Sequence, residues 1–125
     1  YLNDYSINDY VEIINFRDGY YSYLSNADIF VLNSYYEGMP SILVEAVSTD
    51  IAIVSSNCKH GPSELLNGVD HCRLVEVNNE NQLIDAINHF SRIKKTKRKK
   101  IEHLREFNIK ESMSKYLKLL RELIT

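Results

Sequence analysis

The chain has 125 residues, the ordinary length of one domain with a single core, and 44% apolar against 26% charged residues marks it as globular. No apolar run nears the roughly 20 residues that span a bilayer, and no signal-peptide pattern opens the chain. The net charge of −2 hides an acidic body (residues 1–91, 3 basic and 13 acidic, net −10) and a basic tail (residues 92–125, 12 basic and 4 acidic, net +8), a balance that argues against a nucleic-acid domain because the body would repel phosphates. Cys58 and Cys72, 14 positions apart and without CxxC spacing, read as reduced thiols rather than a disulfide or metal site. A start at Tyr1 rather than methionine points to a piece of a longer or processed polypeptide.

In chain order, Val11–Phe16 (VEIINF) alternates like a strand, and Arg17-Asp18-Gly19 reads as a turn. Tyr20–Asn26 has Tyr20, Tyr23 and Leu24 at helical spacing. Asp28–Asn33 (DIFVLN) has an interior apolar enough for a strand buried on both faces. Pro40–Ser48 reads as a helix, Ile51–Ser55 as another buried strand, Pro62–Leu66 as a short helix and Cys72–Val77 as a strand. Glu80–Phe90 is a helix with a stripe of Leu83, Ile84, Ile87 and Phe90. This alternation predicts a Rossmann-like α/β domain over residues 1–91, a parallel sheet with helices on both faces. After Ser91 comes the basic run SRIKKTKRKK, read as a solvated connector or helix end. A final amphipathic helix follows, with Ile109, Met113, Tyr116, Leu117, Leu120 and Ile124 on one face. That face needs a covering surface. The basic residues point chiefly to solvent, with an anionic membrane surface as the alternative.

The stretch YYEGMPSILVEA, Tyr35 to Ala46, holds two glutamates, Glu37 and Glu45. In an open parallel sheet, ligands bind at the carboxyl ends of strands, where loops lead into helix N-termini. Pro40 suits a first helical turn, leaving the Ser41 and Ile42 amides directed outward as a phosphate site. At about 100° per residue, Ser41, Glu45 and Ser48 fall on one narrow strip, with Glu45 about 7–8 Å along the axis from the helix start. The strip has two readings, a plain water-facing edge or the border of a crevice. On the second, Glu37 and Glu45 flank the phosphate site, an arrangement suited to a nucleotide-sugar with hydroxyls on the carboxylates.

Glu37-Gly38-Met39-Pro40 followed by Leu43-Val44-Glu45-Ala46 resembles the E-x7-E motif of the GT-B retaining glycosyltransferases of the large group 1 family. VEIINFRD resembles the family's strand and loop before the motif, and LSNADIFVLNSYYEGMP its helix–strand–motif block. IAIVSSNCKHGPSELL resembles the next strand and a GPxE turn, and CRLVEVNNENQLIDAI the last strand and helix, so the resemblance covers about residues 5–90. It implies the C-terminal, donor-binding half of a two-domain enzyme, transferring a sugar of hexosyl type from a nucleotide-sugar to an acceptor with retention. It also implies no cofactor and no required metal, in keeping with the lack of an Asp-x-Asp. By the same resemblance Glu37 contacts the donor sugar as the catalytic glutamate, and Glu45 binds the ribose hydroxyls. Gly38, Met39, Ser41 and Ile42 offer backbone amides to sugar and phosphate, while Arg17 (with Asp18) lies near the base. Glu64 in the Gly61-Pro62-x-Glu64 turn borders the rim, either as a donor contact or as a plain helix cap. Lys59 and His60 beside it read as solvated loop residues, with approach to the phosphates as the alternative.

The chain also departs from the family. Relatives carry an earlier strand, a Gly-rich turn and an Arg/Lys pair upstream that clamps the diphosphate, and a whole N-terminal acceptor domain. A piece without them is expected to be inactive alone. Asp50 stands where relatives usually carry glycine, and Ala52 where proline is common. Expected partners are thus a nucleotide-sugar and the missing acceptor domain, with no nucleic acid. The final amphipathic helix resembles the family's last helix, which returns to pack on the missing domain, and peripheral membrane contact and self-association through its apolar stripe stay open. The expected setting is cytoplasmic, at or near the inner face of a membrane, in polysaccharide biosynthesis.

Three other functions compete. A glycoside hydrolase would want its carboxylates about 5–5.5 Å apart for retention or about 6.5–9.5 Å for inversion, astride a glycosidic bond, and the intervening helix start favours phosphate instead. A non-catalytic α/β interaction module and a sugar-nucleotide epimerase of the same architecture are the remaining alternatives.

Overall fold

A computed structural model of the chain describes residues 4–15, 19–49, 51–93 and 107–124. Arg17, Asp18 and Asp50, and the basic run from residue 94 to 106, lie outside the described residues.

The body is one parallel sheet of three strands in the order β1 (Ile29–Leu32), β2 (Ala52–Ser56) and β3 (Cys72–Val75). β1 pairs with β2 from Ile29↔Ala52 to Leu32↔Ser55, and β2 with β3 from Ile53↔Cys72 to Ser56↔Val75. All five residues of β2 are buried, as the apolar Ile51–Ser55 run demands of a central strand covered on both sides.

Helices cover both faces. On one, α1 (Tyr20–Asn26), α2 (Ser41–Val47) and α3 (Pro62–Leu65) pack Leu24, Leu43, Ala46, Val47 and Leu65 onto Ile51 and Ile53. On the other, α4 (Glu80–Ser91) lays Ala86 and Phe90 over Ala52, Val54 and Val75. The period-2 alternation of β2 thus feeds two cores, one per face. This is the Rossmann-like α/β layer expected from the alternation of elements.

Local chemistry explains the helix ends. Gly19 precedes α1 with φ +86, a left-handed conformation that glycine adopts without a Cβ penalty. Pro62 opens α3, where its missing N–H costs nothing. Asn79 caps α4 by accepting from the Gln82 N–H at 3.1 Å, while the Gln82 amide oxygen accepts from the Glu76 N–H at 2.8 Å.

Four details depart from expectation. Residues 11–15 join no strand of the sheet, and Ile13 is 79% exposed. Alternation offers a strand, but only a ladder partner makes one, and among the described residues the sheet ends at β1. For the same reason β1 is an edge strand rather than doubly buried, with Val31 39% exposed. Pro40 is the residue before α2 rather than its first turn, with φ −70 and ψ 102. The α4 stripe substitutes Ala86 for Ile84, which is exposed, because Leu83, Ala86, Ile87 and Phe90 share the sheet-facing side at i, i+3, i+4 and i+7.

The last helix, α5, runs from Ile109 to Ile124, 16 residues with none buried.

Candidate functional site

Three parallel strands end on one rim, so the segments after β1, β2 and β3 and the starts of α2, α3 and α4 converge there. The β1 segment carries Glu37, half-buried, followed by exposed Gly38, Met39 and Ser41. The Ile42 side chain is partly buried against the core, so it anchors α2 while its backbone stays at the helix start. Leu43 and Val44 donate to the Pro40 carbonyl at 3.0 and 3.4 Å, and among the described residues no hydrogen bond engages the Ser41 and Ile42 amides.

This segment is fixed at both ends. At the strand end, the buried Ser56 hydroxyl donates to the Ser34 carbonyl at 2.6 Å and accepts from the Ser34 N–H at 2.9 Å. At the helix end, Gly61 packs against the Gly38 carbonyl and the Pro40 ring so closely that a Cβ there would meet Pro40 Cδ at 2.7 Å and overlap the carbonyl oxygen. Gly61 also holds φ +85. Glu37-Gly38-Met39-Pro40 and the Gly61-Pro62 turn are therefore one packed unit, although 20 residues separate their ends in sequence.

Glu45 is half-buried, and its Oε2 accepts a hydrogen bond from the Tyr20 hydroxyl at 2.6 Å. On the same strip Ser48 Oγ lies 3.3 Å from the Tyr21 hydroxyl. The polar edge of α2 thus faces the start of α1 rather than plain solvent. Tyr20 and Tyr21, at the start of α1, thus meet Glu45 in the second half of α2 and Ser48 just after it. The hydrogen bond and the adjacent carboxylate charge raise the Tyr20 pKa above its ordinary 10.0, so the phenol remains a donor at neutral pH.

Not every expected residue joins this unit. Glu64 is exposed on α3, and among the described residues no contact ties it to Glu37 or Glu45. Lys59 and His60 are likewise exposed. A rim cleft of about 260 Å³ opens instead between Asn33–Tyr35 and Val75–Asn79, roofed by Leu83, and neither glutamate lines it. Among the described residues no group of three or more His, Cys, Asp or Glu is placed to hold a metal ion.

Two positions escaped sequence reading. Tyr20 reads as a packing residue from its spacing, but two tyrosines opening a helix beside a glycine also offer hydroxyls to a neighbouring helix, and that was the available signal. Ser56, which with Ser55 ends a strand otherwise apolar, signals a buried hydroxyl that needs partners.

With this geometry in place, the model of the family "Glycosyl transferases group 1" matches residues 2–107. The chain belongs to that family. Among its relatives is the N-acetylgalactosamine-N,N'-diacetylbacillosaminyl-diphospho-undecaprenol 4-alpha-N-acetylgalactosaminyltransferase of Campylobacter jejuni, 27% identical over 69% of this chain and 24% of that protein. Another is the UDP-Gal:alpha-D-GlcNAc-diphosphoundecaprenol alpha-1,3-galactosyltransferase of Escherichia coli, 30% identical over 70% of this chain and 22% of that protein. The amylovoran biosynthesis glycosyltransferase AmsD of Erwinia amylovora is 26% identical over 52% and 18%. The chain spans a quarter or less of the length of these curated relatives. No described helix is long and apolar enough to cross a membrane.

Proposed function

We propose that this chain is the donor-binding part of a retaining glycosyltransferase that moves a hexosyl unit from a nucleotide-sugar to an acceptor. The reading rests on group 1 family membership, and one observation carries it to a site: Glu45, the second glutamate of the motif, is oriented by the Tyr20 hydroxyl. A carboxylate held this way keeps one oxygen engaged and offers the other to a ribose diol. Glu37, on the segment pinned between Ser56 and Gly61, is the catalytic glutamate that meets the donor sugar. Backbone amides of Gly38, Met39, Ser41 and Ile42 serve the sugar and diphosphate, with Arg17 near the base and Glu64 at the margin. The reaction needs no resident cofactor or metal, since amide dipoles and cationic side chains meet the leaving-group charge. The main diphosphate clamp belongs to an upstream segment and the acceptor site to a companion acceptor domain, so the chain alone binds donor weakly and does not turn over.

The diphosphoundecaprenol in two relatives' names supports a lipid-linked acceptor and work at a membrane surface, and the proposed setting is the cytoplasmic face, in polysaccharide biosynthesis.

A thermal-shift panel of nucleoside diphosphates and nucleotide-sugars on the full-length enzyme and its Glu45→Ala variant tests the reading. Ligand bound only by the native state raises the midpoint as RT ln(1 + [L]/Kd). The expected result is a rise with one nucleoside diphosphate that Glu45→Ala abolishes while keeping the ligand-free midpoint. Equal shifts in both proteins, or none in either, overturn a donor site at Glu45.

A further inference from the structure

β2 ends in two serines that are both buried and differently employed. The Ser55 hydroxyl donates at 3.2 Å to the carbonyl of Ser56, its own neighbour in the strand. The Ser56 hydroxyl reaches across to the exit of β1. It donates to the Ser34 carbonyl at 2.6 Å, accepts from the Ser34 N–H at 2.9 Å and lies 3.3 Å from the Leu32 carbonyl. Backbone pairing of β1 with β2 stops at Leu32↔Ser55, so Ser34 has already left the ladder. The Ser56 side chain supplies the donor and the acceptor that a longer ladder would have offered, and the chain turns out of the sheet with both polar groups of Ser34 paired. A hydroxyl can do this because one atom both donates and accepts.

Further along the same segment, the Gly38 carbonyl packs against Gly61. Only Tyr35, Tyr36 and Glu37 lie between these two fixed points. Tyr35 is 64% and Tyr36 85% exposed, so neither ring packs the segment down. The placement of Glu37 therefore falls to the two ends. We infer that Ser56 is a positioning residue for transfer, its hydroxyl setting where Glu37 stands against the donor sugar. The inference rests on the reading of Glu37 as the catalytic glutamate. The effect belongs to turnover rather than to donor affinity, because Glu45 and its Tyr20 partner stand on α2 and α1 and keep their bond.

Full-length enzyme and its Ser56→Ala and Ser55→Ala variants test this, by amide hydrogen exchange and by nucleoside diphosphate release from UDP-, GDP- and ADP-hexoses. In the wild type, the Ser34 amide is expected to exchange as slowly as the amides of β2, a measurement that needs no variant. In Ser56→Ala, kcat is expected to fall about tenfold to a hundredfold, the scale of a misplacement by about 1 Å, while the nucleoside diphosphate Kd stays within about twofold. Exchange at Tyr35, Tyr36 and Glu37 should quicken in the same variant. Ser55→Ala, a change of the same size at an equally buried site, is expected to alter neither kcat nor that exchange. A Ser34 amide that exchanges like an exposed loop, a wild-type kcat in Ser56→Ala, or equal losses in the two variants would overturn the inference. Undiminished turnover in Glu37→Ala would sink the catalytic reading of Glu37, and this inference with it.

Discussion

The α/β body and α5 use apolar residues for opposite ends. In the body, Leu43 is fully buried against Ile51 and Ile53, and the side chains of β2 point alternately into two cores. In α5 a comparable density of leucine, isoleucine and methionine is turned outward, and none is buried. Composition does not separate the two regions. Charge does, since residues 1–91 are net acidic and residues 92–125 net basic. Apolar content therefore predicts burial only when the surrounding elements provide a second face.

The largest test of that contrast is a matched pair of truncations. Leu43→Ala is expected to cost about 2–5 kcal/mol, because a fully packed leucine leaves a cavity. Leu120→Ala should change unfolding by no more than about 0.5 kcal/mol, as exposed positions do. Urea denaturation monitored on the body would break the comparison if the two values matched.

Gly61→Ala probes the junction between the body and its rim. A Cβ there meets the Gly38 carbonyl and Pro40 ring, in a backbone conformation that disfavours any side chain, so about 1–3 kcal/mol is expected from strain alone. The cost should fall on the Glu37 segment as well as on stability. Amide hydrogen exchange should speed at Ser34–Met39 while the amides of β2 stay protected relative to global unfolding. Uniform loss of protection would make Gly61 a core residue instead of a rim brace.

Much of this was legible in the sequence, for reasons visible in single elements. Tyr20–Asn26 was delimited to the residue because a turn precedes it and an apolar strand follows. β2 was readable because a central parallel strand needs apolar residues on both sides. The segment at 11–15 was misread because alternation describes one strand and pairing takes two. The motif glutamates were legible as a pair, and Glu45's placement on a polar strip followed from helical spacing. What covers that strip, the Tyr20 hydroxyl, was not readable, because α1 and α2 meet only through the folded chain. Gly61 against Gly38 was hidden likewise, since a close approach leaves no trace beyond two glycines.

A smaller effect sharpens the view of the body from inside. Cys72, whose thiol lies 3.1 Å from the Val69 carbonyl, has its pKa pushed from 9.0 up to about 11, first by burial and then by the Asp70 charge. A raised folded-state value stabilises the native state below the unfolded pKa and loses that contribution as pH climbs through the folded one. Urea midpoints should therefore decline between pH 9 and about 11, less so in Cys72→Ser. At neutral pH the native thiol should react slowly with iodoacetamide and quickly once unfolded.

The smallest expected effect falls on Tyr20, and it separates positioning from stability. The Tyr20 hydroxyl sits at the surface, so removing it in Tyr20→Phe leaves the midpoint of unfolding where it was. Its partner Glu45 then loses its orientation but keeps its charge. If Glu45 grips a ribose diol, donor affinity should fall about threefold to tenfold, the scale of one charge-assisted hydrogen bond, and less than in Glu45→Ala. The wild-type advantage should persist at neutral pH and vanish as pH rises past 10.0 through the raised Tyr20 pKa, when the phenolate can no longer donate and repels the carboxylate. Titration calorimetry of the two proteins across that range distinguishes the roles. An affinity gap that stays constant into strong alkali would mean that Tyr20 acts by bulk, and that Glu45 is placed by α2 alone.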